Sequence, residues 1–403
     1  MVVSADDWHW FFSPTKDAYV QLAVMAIVGA VVFVVKVFSS WLMFWTCTIP
    51  PMARKDFERY VDRDGLEERI RAHVNQDDVT NYLVVVGPRG GGKSTAIKRV
   101  LARRARVVYV ELDETTKTIY DALLSKTLWL SFFFSYRRSL AAYELYPGYK
   151  KPVFVVEIST PASDVTVKNE AQQLKELCTA HKGAHGILIL SDANAAGKLN
   201  QDDDRQKFVW VGVFSENELE RLFDNLGVLV TGGDAEAAAL RRKIIDEIGP
   251  TPQDIVNAAG DAKAAEKIAA EAARSSGATE AECVAAGRAA ERKVFEQLCE
   301  QKQTKAYDEI NNLLTESRRK DGFQRLVPAL VENYPKGLRQ SEVSLSAEEA
   351  SKDIKKKGYH AIAFNTEANV FQFFTRAHYY AARRWLEAEA EAKAKAEAEA
   401  EAK

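Results

Sequence analysis

Gly87, Gly92, Lys93 and Ser94 stand in the spacing GxxxxGK[ST] within VVVGPRGGGKST, residues 84–95. Those residue types at that spacing hold phosphate. Glycines let successive backbone N–H groups curl around a β-phosphate, a lysine neutralises β/γ oxygens, and a serine hydroxyl offers Mg²⁺ a ligand. The loop works only between a strand that ends at the first glycine and a helix that starts at the lysine. NYLVVV (81–86) is a short β-branched run and AIKRVLARR (96–104) has helical character, so both neighbours are in place. The phosphate-binding set is therefore Gly87, Pro88, Arg89, Gly90, Gly91, Gly92, Lys93, Ser94 and Thr95. A glycine-rich turn with a solvated lysine is the plainer alternative.

Four further apolar runs follow at α/β intervals: RVVYVELD (106–113), KPVFVVEIS (151–159), GILILSD (186–192) and KFVWVGV (207–213). Near-continuous rather than alternating hydrophobicity marks strands buried on both faces, as in a parallel sheet. With the strand before the phosphate loop they make five, and a three-layer α/β domain is expected.

In this order the parts resemble the AAA+ and STAND branches of P-loop ATPases, especially the archaeal-ATPase-like group that includes retrotransposon-hot-spot-type proteins. Besides the loop, the resemblance rests on FERYVDRDGLEERIRAHV (57–74) as the lead-in and VFVVEIST (153–160) in the place of the Walker B strand. It rests also on ILILSDAN (187–194) as the sensor strand, DRQKFVWVGVFSENELERLF (204–223), and IIDEIGPTPQDIVNAA (244–259) opening a helical lid. It covers roughly residues 56 to 260, with weaker similarity to about 385. The resemblance implies Mg-ATP rather than GTP, Asn194 (with Ser191 and Asp192) at the sensor tip, and Arg205 as a finger offered to a neighbouring copy. A surface arginine balancing Asp202, Asp203 and Asp204 is an equal reading of Arg205.

Walker B strands of that group end in two acids, one for the metal shell and one for the water, whereas here Glu157 is followed by Ile158. Either Glu157 joins Ser94 in holding Mg²⁺ and the water-orienting acid is missing, or Glu157 is the base and Val156 replaces the metal ligand. Asp164, Glu111 and Asp113 are the nearby acids that offer compensation, though each also reads as an ordinary solvated carboxylate.

The 403 residues are 47% apolar and 28% charged, enough core-forming material for two or three domains. A net charge of -2 disfavours a chain built to coat nucleic acid. Cys47, Cys178, Cys283 and Cys299 are widely separated, which gives neither a disulfide framework nor a zinc site. AYVQLAVMAIVGAVVFVVKVF (18–38) is long enough to span about 30 Å of hydrocarbon as a helix. Trp8, Trp10, Phe11 and Phe12 precede it, and Trp41, Phe44 and Trp45 follow, as an interfacial belt requires. A core helix packed on the globular part is the alternative. Lys16 is the one Lys or Arg before the run, while Arg54, Lys55, Arg59, Arg63, Arg69 and Arg71 come after, so the C-terminal part is expected to face the cytosol or the mitochondrial matrix.

Residues 234–320 are rich in Ala, Glu, Lys and Arg, with a capping box at Thr279 and Glu282. Farther on, two helical stretches precede a hairpin with its turn near Asn365 to Asn369, the sketch of a winged helix. The expected organisation is a short N-terminal segment (1–17), a transmembrane helix (18–38), a linker (39–55) and a P-loop ATPase core (56–232). A helical lid (233–320), a winged-helix domain (321–385) and a charged tail (386–403) complete it. The fold expected is thus a three-layer α/β P-loop NTPase with a parallel five-stranded sheet, a helical lid, a winged helix and one membrane span. As an enzyme it would couple ATP turnover to rearrangement of a protein partner near the membrane, with self-association a further expectation. The rivals are a hydrolysis-deficient switch or scaffold and, in third place, a membrane-tethered nucleic-acid binder.

Overall fold

The structure, a computed structural model, describes residues 23–31, 33–34, 60–63, 65–77, 79–102, 104, 107–112, 151–158, 164–176, 178, 184–191, 199, 205–230, 234–315, 320–343, 361–365, 367–368 and 370–401. The five apolar runs form β1 (Tyr82–Val86), β2 (Val107–Leu112), β3 (Val153–Ile158), β4 (His185–Leu190) and β5 (Gln206–Trp210). They pair in parallel in the order β2-β3-β4-β1-β5. Side chains alternate between the two faces. On one face Leu83, Val85, Val155, Ile187 and Ile189 pack against α1 (Leu66–Val74) and α2 (Lys93–Leu101) through Ile70, Val74, Ile97 and Leu101. On the other, Tyr82, Val84, Phe154, Val156 and Leu188 meet Val167, Ala171 and Leu174 of α3 (Asp164–Lys175). Burial on both faces explains why these strands carry unbroken apolar runs.

After β5, a capping box between Ser215 and Glu218 starts α4 (Glu216–Leu226), and Gly227 ends it in the left-handed conformation. Next come α5 (Ala235–Lys243), a π-helical turn (Ile244–Ile248), α6 (Pro252–Ser275) and α7 (Glu280–Thr315). Thr251 caps α6 with Asp254 in a second capping box, and Thr279 with Glu282 forms a third ahead of α7. Phe214, Leu222, Phe223, Ile244, Ile255 and Phe295 share the core of this helical part.

The C-terminal module has α8 (Lys320–Glu332) and an antiparallel sheet of β6 (Leu338–Arg339), β7 (Ile362–Asn365) and β8 (Val370–Phe373), in the order β6-β8-β7. α9 (Arg376–Glu401) follows. Between β7 and β8, Asn365 Oδ1 accepts from the N–H groups of Glu367 and Ala368, the side-chain turn that an Asn favours. Glu367 then reaches the α/β part, accepting from Arg69 at 2.6 Å and from the backbone N–H of Trp210 at 2.7 Å. β5 is an edge strand, and this carboxylate covers one of its backbone donors. The expected helix over SAEEASKDIKKKG (346–358) lies outside the described residues.

Among the described residues no helix is long and apolar enough to cross a membrane, so the span expected at 18–38 finds no support there. Of that stretch only 23–31 and 33–34 are described, as helix, and nine residues at 1.5 Å each reach about 14 Å, half the hydrocarbon thickness. Their apolar side chains, Val24, Met25, Ile27, Val28 and Val31 among them, are exposed rather than packed on the globular part.

At the end of the sheet away from the phosphate loop, His73 of α1 and His185 of β4 meet edge to face, their centroids 5.8 Å apart. His73 Nε2 lies 3.0 Å from Gly186 O, which only accepts, so that nitrogen carries the hydrogen. Burial holds His73 down to about 4 and His185, with His73, Arg104 and Lys151 also nearby, down to about 3. Both rings stay neutral in the fold while an unfolded chain's histidines charge near 6.5. Stability contributed here is complete above that value and is lost as pH falls through it towards about 4 and then 3. The unfolding free energy is therefore expected to fall between pH 7 and 5 with a slope of roughly 1.4 kcal/mol per pH unit for each ring. Denaturant titrations across that range check it, and a flat profile in the wild type, or an unchanged slope in a His73→Gln, His185→Gln variant, would refute the assignment.

Candidate functional site

The phosphate loop leaves β1 at Gly87, where a Cβ would stand 2.0 Å from Val211 O, so no other residue fits. Gly90 has φ +76°, and a Cβ there would come within 2.9 Å of Gln253 Cβ and 3.0 Å of Thr251 Oγ1. This second contact brings the loop against the N-terminus of α6, whose Gln253 N–H points at Gly90 O from 3.4 Å. α2 begins at Lys93. The Lys93 ammonium is 3% exposed and donates to Gly87 O at 2.9 Å and Pro88 O at 2.7 Å. Burial pulls its pKa down to about 8, against the upward pull of Glu157 and with a further downward push from Arg63.

Arg63, in the segment before α1, clasps the loop from beneath. Its Nη2 donates to Gly91 O at 2.6 Å and to Gly212 O at 2.8 Å, and the guanidinium lies 4.3 Å from the Phe214 ring centroid. It thus ties the phosphate loop to the chain leaving β5. Burial lowers its pKa, yet a guanidinium stays charged at any physiological pH. Among the basic residues after the apolar run, sequence reasoning gave Arg63 a charge-count role alone.

The acids gather at the carboxyl ends of the strands. Ser94 Oγ donates to Glu157 Oε1, and Tyr109 Oη donates to Glu157 Oε2. Glu157 thus lies beside Ser94. Burial and the adjacent carboxylate push the Tyr109 phenol far above its ordinary pKa, which keeps it a donor. Tyr109 was read from sequence only as part of a strand; its place two residues before Glu111, on the same face, was the available signal. Glu111 pairs in register with Glu157, one strand over, and its side chain is exposed. Ser191, at the end of β4, lines the same cleft. Asn194, Asp192 and Asp113 lie outside the described residues, and Asp164 opens α3. Arg205 sits at the start of β5, where its carbonyl accepts from Tyr82 N–H at 2.9 Å. That is the opposite end of the sheet from the loop, so the structure does not bring Arg205 to this chain's own site.

Together these groups line a cleft of about 540 Å³. Arg89 to Thr95, Glu111, Glu157 and Ser191 are among its polar lining, and Val61, Phe214, Leu222, Pro252 and Val256 are among its apolar lining. The volume falls within the roughly 300–1,000 Å³ of small-molecule sites. Among the described residues no three His, Cys, Asp or Glu side chains are grouped as a metal site. Ser94 Oγ and Glu157 offer two hard oxygens, which suits Mg²⁺ completing its shell with phosphate oxygens and water.

A phosphate anion placed against Lys93 raises the lysine pKa again, so binding near pH 8 takes up a proton. In calorimetry of ADP binding at pH 8, the apparent enthalpy is expected to vary with the buffer's ionisation enthalpy, with a slope of about 0.5 proton. The slope grows towards one proton at pH 9, where Lys93 of the free cleft is almost wholly neutral and ADP is fully ionised. Equal slopes at the two pH values would show that Lys93 does not titrate as its burial implies.

No protein family matches the chain, and no curated protein matches its sequence. Among solved structures, one described as "Structural Basis for Katanin Self-Assembly" shares 12% identity over 53% of this chain and 71% of that one, with a TM-score of 0.33. A superposition that slight adds nothing to the chain's own geometry. The parallel sheet and the loop at its edge fit a P-loop NTPase-like fold.

Proposed function

We propose that this chain is an AAA+/STAND-like ATPase that binds Mg-ATP at the loop 87–95 and passes the bound state to its helical lid and C-terminal module. The observation that carries the reading is the meeting of Ser94 and Glu157 beside a buried Lys93, in a cleft that also has apolar lining. Loop N–H groups and Lys93 would hold the β- and γ-phosphates, and the apolar residues would cover the base. Mg²⁺ would supply charge neutralisation between those phosphates when held by Ser94 and Glu157.

The path outward is short. Gly90 touches Thr251 and Gln253 at the start of α6, and Asp254 in the same cap pairs with Lys302 of α7 at 2.7 Å. Arg376, at the start of α9, donates to Ile245 O at 2.9 Å and to Glu216 at 2.8 Å. A second cleft of about 590 Å³ opens beside the loop, from Arg89, Gly90 and Ser191 to Lys302 and His378. A phosphate that shifts Gly90 therefore pushes on both outer parts, and the winged-helix reading of the C-terminal module makes it the element that meets a protein partner. Arg205, remote from its own cleft, is the residue that the family resemblance would offer to a neighbouring copy's. The alternative, a switch that binds without turnover, is favoured by one observation: both oxygens of Glu157 are already engaged.

Membrane anchoring through 18–38 belongs to the same proposal, supported by the run's composition and by the exposure of the described apolar side chains at 24–34. The orientation proposed puts the ATPase in the cytosol or the matrix.

Lys93→Ala is expected to raise the Kd for Mg-ATP at least roughly 100-fold, the loss of about 3 kcal/mol that follows from removing a buried charge partner. Fluorescent-nucleotide titration measures it, and an unchanged Kd ends the reading. The full chain is expected to float with phosphatidylcholine vesicles and to resist extraction by alkaline carbonate. Release by carbonate alone would remove the anchor from the proposal.

A further inference from the structure

Glu157 is spoken for. One of its oxygens accepts from Ser94 and the other from Tyr109, an arrangement that turns the carboxylate towards the loop's Mg²⁺-ligating hydroxyl and suits a metal shell. The following residue, Ile158, is apolar and turns to the opposite face of the sheet, where it joins the core with Val156. Hydrolysis by this cleft therefore needs a carboxylate from somewhere other than the strand that carries Glu157.

Resting on the reading of the cleft as an ATP site, we propose that Glu111, on the neighbouring strand β2, is the acid that orients and deprotonates the attacking water. Residues 109, 111 and 157 share a face, because register partners in a parallel pair point the same way and residues i and i+2 do so within a strand. Tyr109 spends its hydroxyl on Glu157, so the next residue on that face is the first free to reach the cleft, and Glu111 lines it together with Lys93 and Ser94. One strand spacing, about 4.8 Å, separates the backbones of Glu111 and Glu157. The cleft that both line is where a water would stand between Glu111 and a γ-phosphate gripped by Lys93. The side chain is exposed and its neighbours Val110 and Leu112 are buried on the other face, so nothing in the packing requires a glutamate at 111.

In the step proposed, the water oxygen bonds to the γ-phosphorus while one of its protons passes to the Glu111 carboxylate. The bond from the γ-phosphorus to the oxygen bridging the β-phosphate breaks, and that oxygen leaves with ADP. Inorganic phosphate forms, and Glu111 returns its proton to solvent. No oxidant, reductant or further reactant is required.

The test compares wild-type full-length chain with Glu111→Gln, Glu111→Asp, Glu157→Gln and Lys93→Ala for Mg-ATP binding and steady-state phosphate release. Glu111→Gln is expected to lower turnover about 100-fold or more while its ATP affinity and its Mg²⁺ dependence of binding stay within about twofold of wild type. Glu111→Asp, which keeps the carboxylate on a shorter stem, is expected to fall between them. Glu157→Gln differs in kind, shifting the Mg²⁺ concentration at which ATP binds. Wild type that binds ATP tightly without releasing phosphate, or Glu111→Gln that hydrolyses at the wild-type rate, overturns the role of Glu111 and leaves the binding site standing. Wild type that fails to bind ATP, or turnover that survives Lys93→Ala, overturns the parent reading instead.

Discussion

The contact between Ser94 and Glu157 is the point on which the candidate site depends, because it joins two parts of the sheet that are not neighbours. Ser94 follows β1 and Glu157 is the last residue but one of β3, with β4 lying between those strands. The contact is possible only because all five strands run in parallel and deliver their carboxyl ends to one edge. There the chain order jumps from β1 to the far side of the sheet, and the crevice at such a jump is where α/β sheets collect ligands. Tyr109 adds the third strand to the network, so β2, β3 and the helix after β1 are held in mutual register by one carboxylate.

A second constraint is the density of carbonyl acceptors beneath the phosphate loop. A loop that aims its N–H groups outward at a ligand necessarily turns carbonyls inward, and burying those without donors is costly. Lys93 serves Gly87 and Pro88, and Arg63 serves Gly91 together with Gly212. Two buried cations close to one another are tolerable because each is surrounded by oxygen dipoles. Under the proposed reading, phosphate would bring the counter-charge that the backbone oxygens only partly supply.

Much of this was legible in the sequence. Each of the five apolar runs became a strand, because long β-branched stretches flanked by helical segments have few other ways to be buried. The capping boxes at Ser215 and Thr279 were readable from four residues each, since a cap is a local hydrogen-bond exchange. The strand order was not readable, because nothing in VVYVEL or VFVVEI states which neighbour it prefers once both faces are apolar. Arg63 was hidden for a related reason: an arginine in the polar run VDRDG looks solvated until β5 and the loop close over it. In sequence Tyr109 is one residue of a buried run, and only the pairing of β2 with β3 brings its hydroxyl within reach of Glu157.

The helix α7 runs for 36 residues without a break, and its side chains belong to two cores. Phe295 and Cys299 lie in the helical part beside the α/β domain, whereas Ile310, Leu313 and Leu314 lie in the C-terminal module. Phe295 and Ile310 are about 22 Å apart at 1.5 Å per residue. The chain there is a stiff rod shared by both bodies, so neither can tilt without carrying the other. A tilt of about 10° at the first core sweeps the second by about 4 Å, more than the reach of a hydrogen bond. Mechanically, α7 is a lever, and its length sets the gain between the phosphate end and the far one.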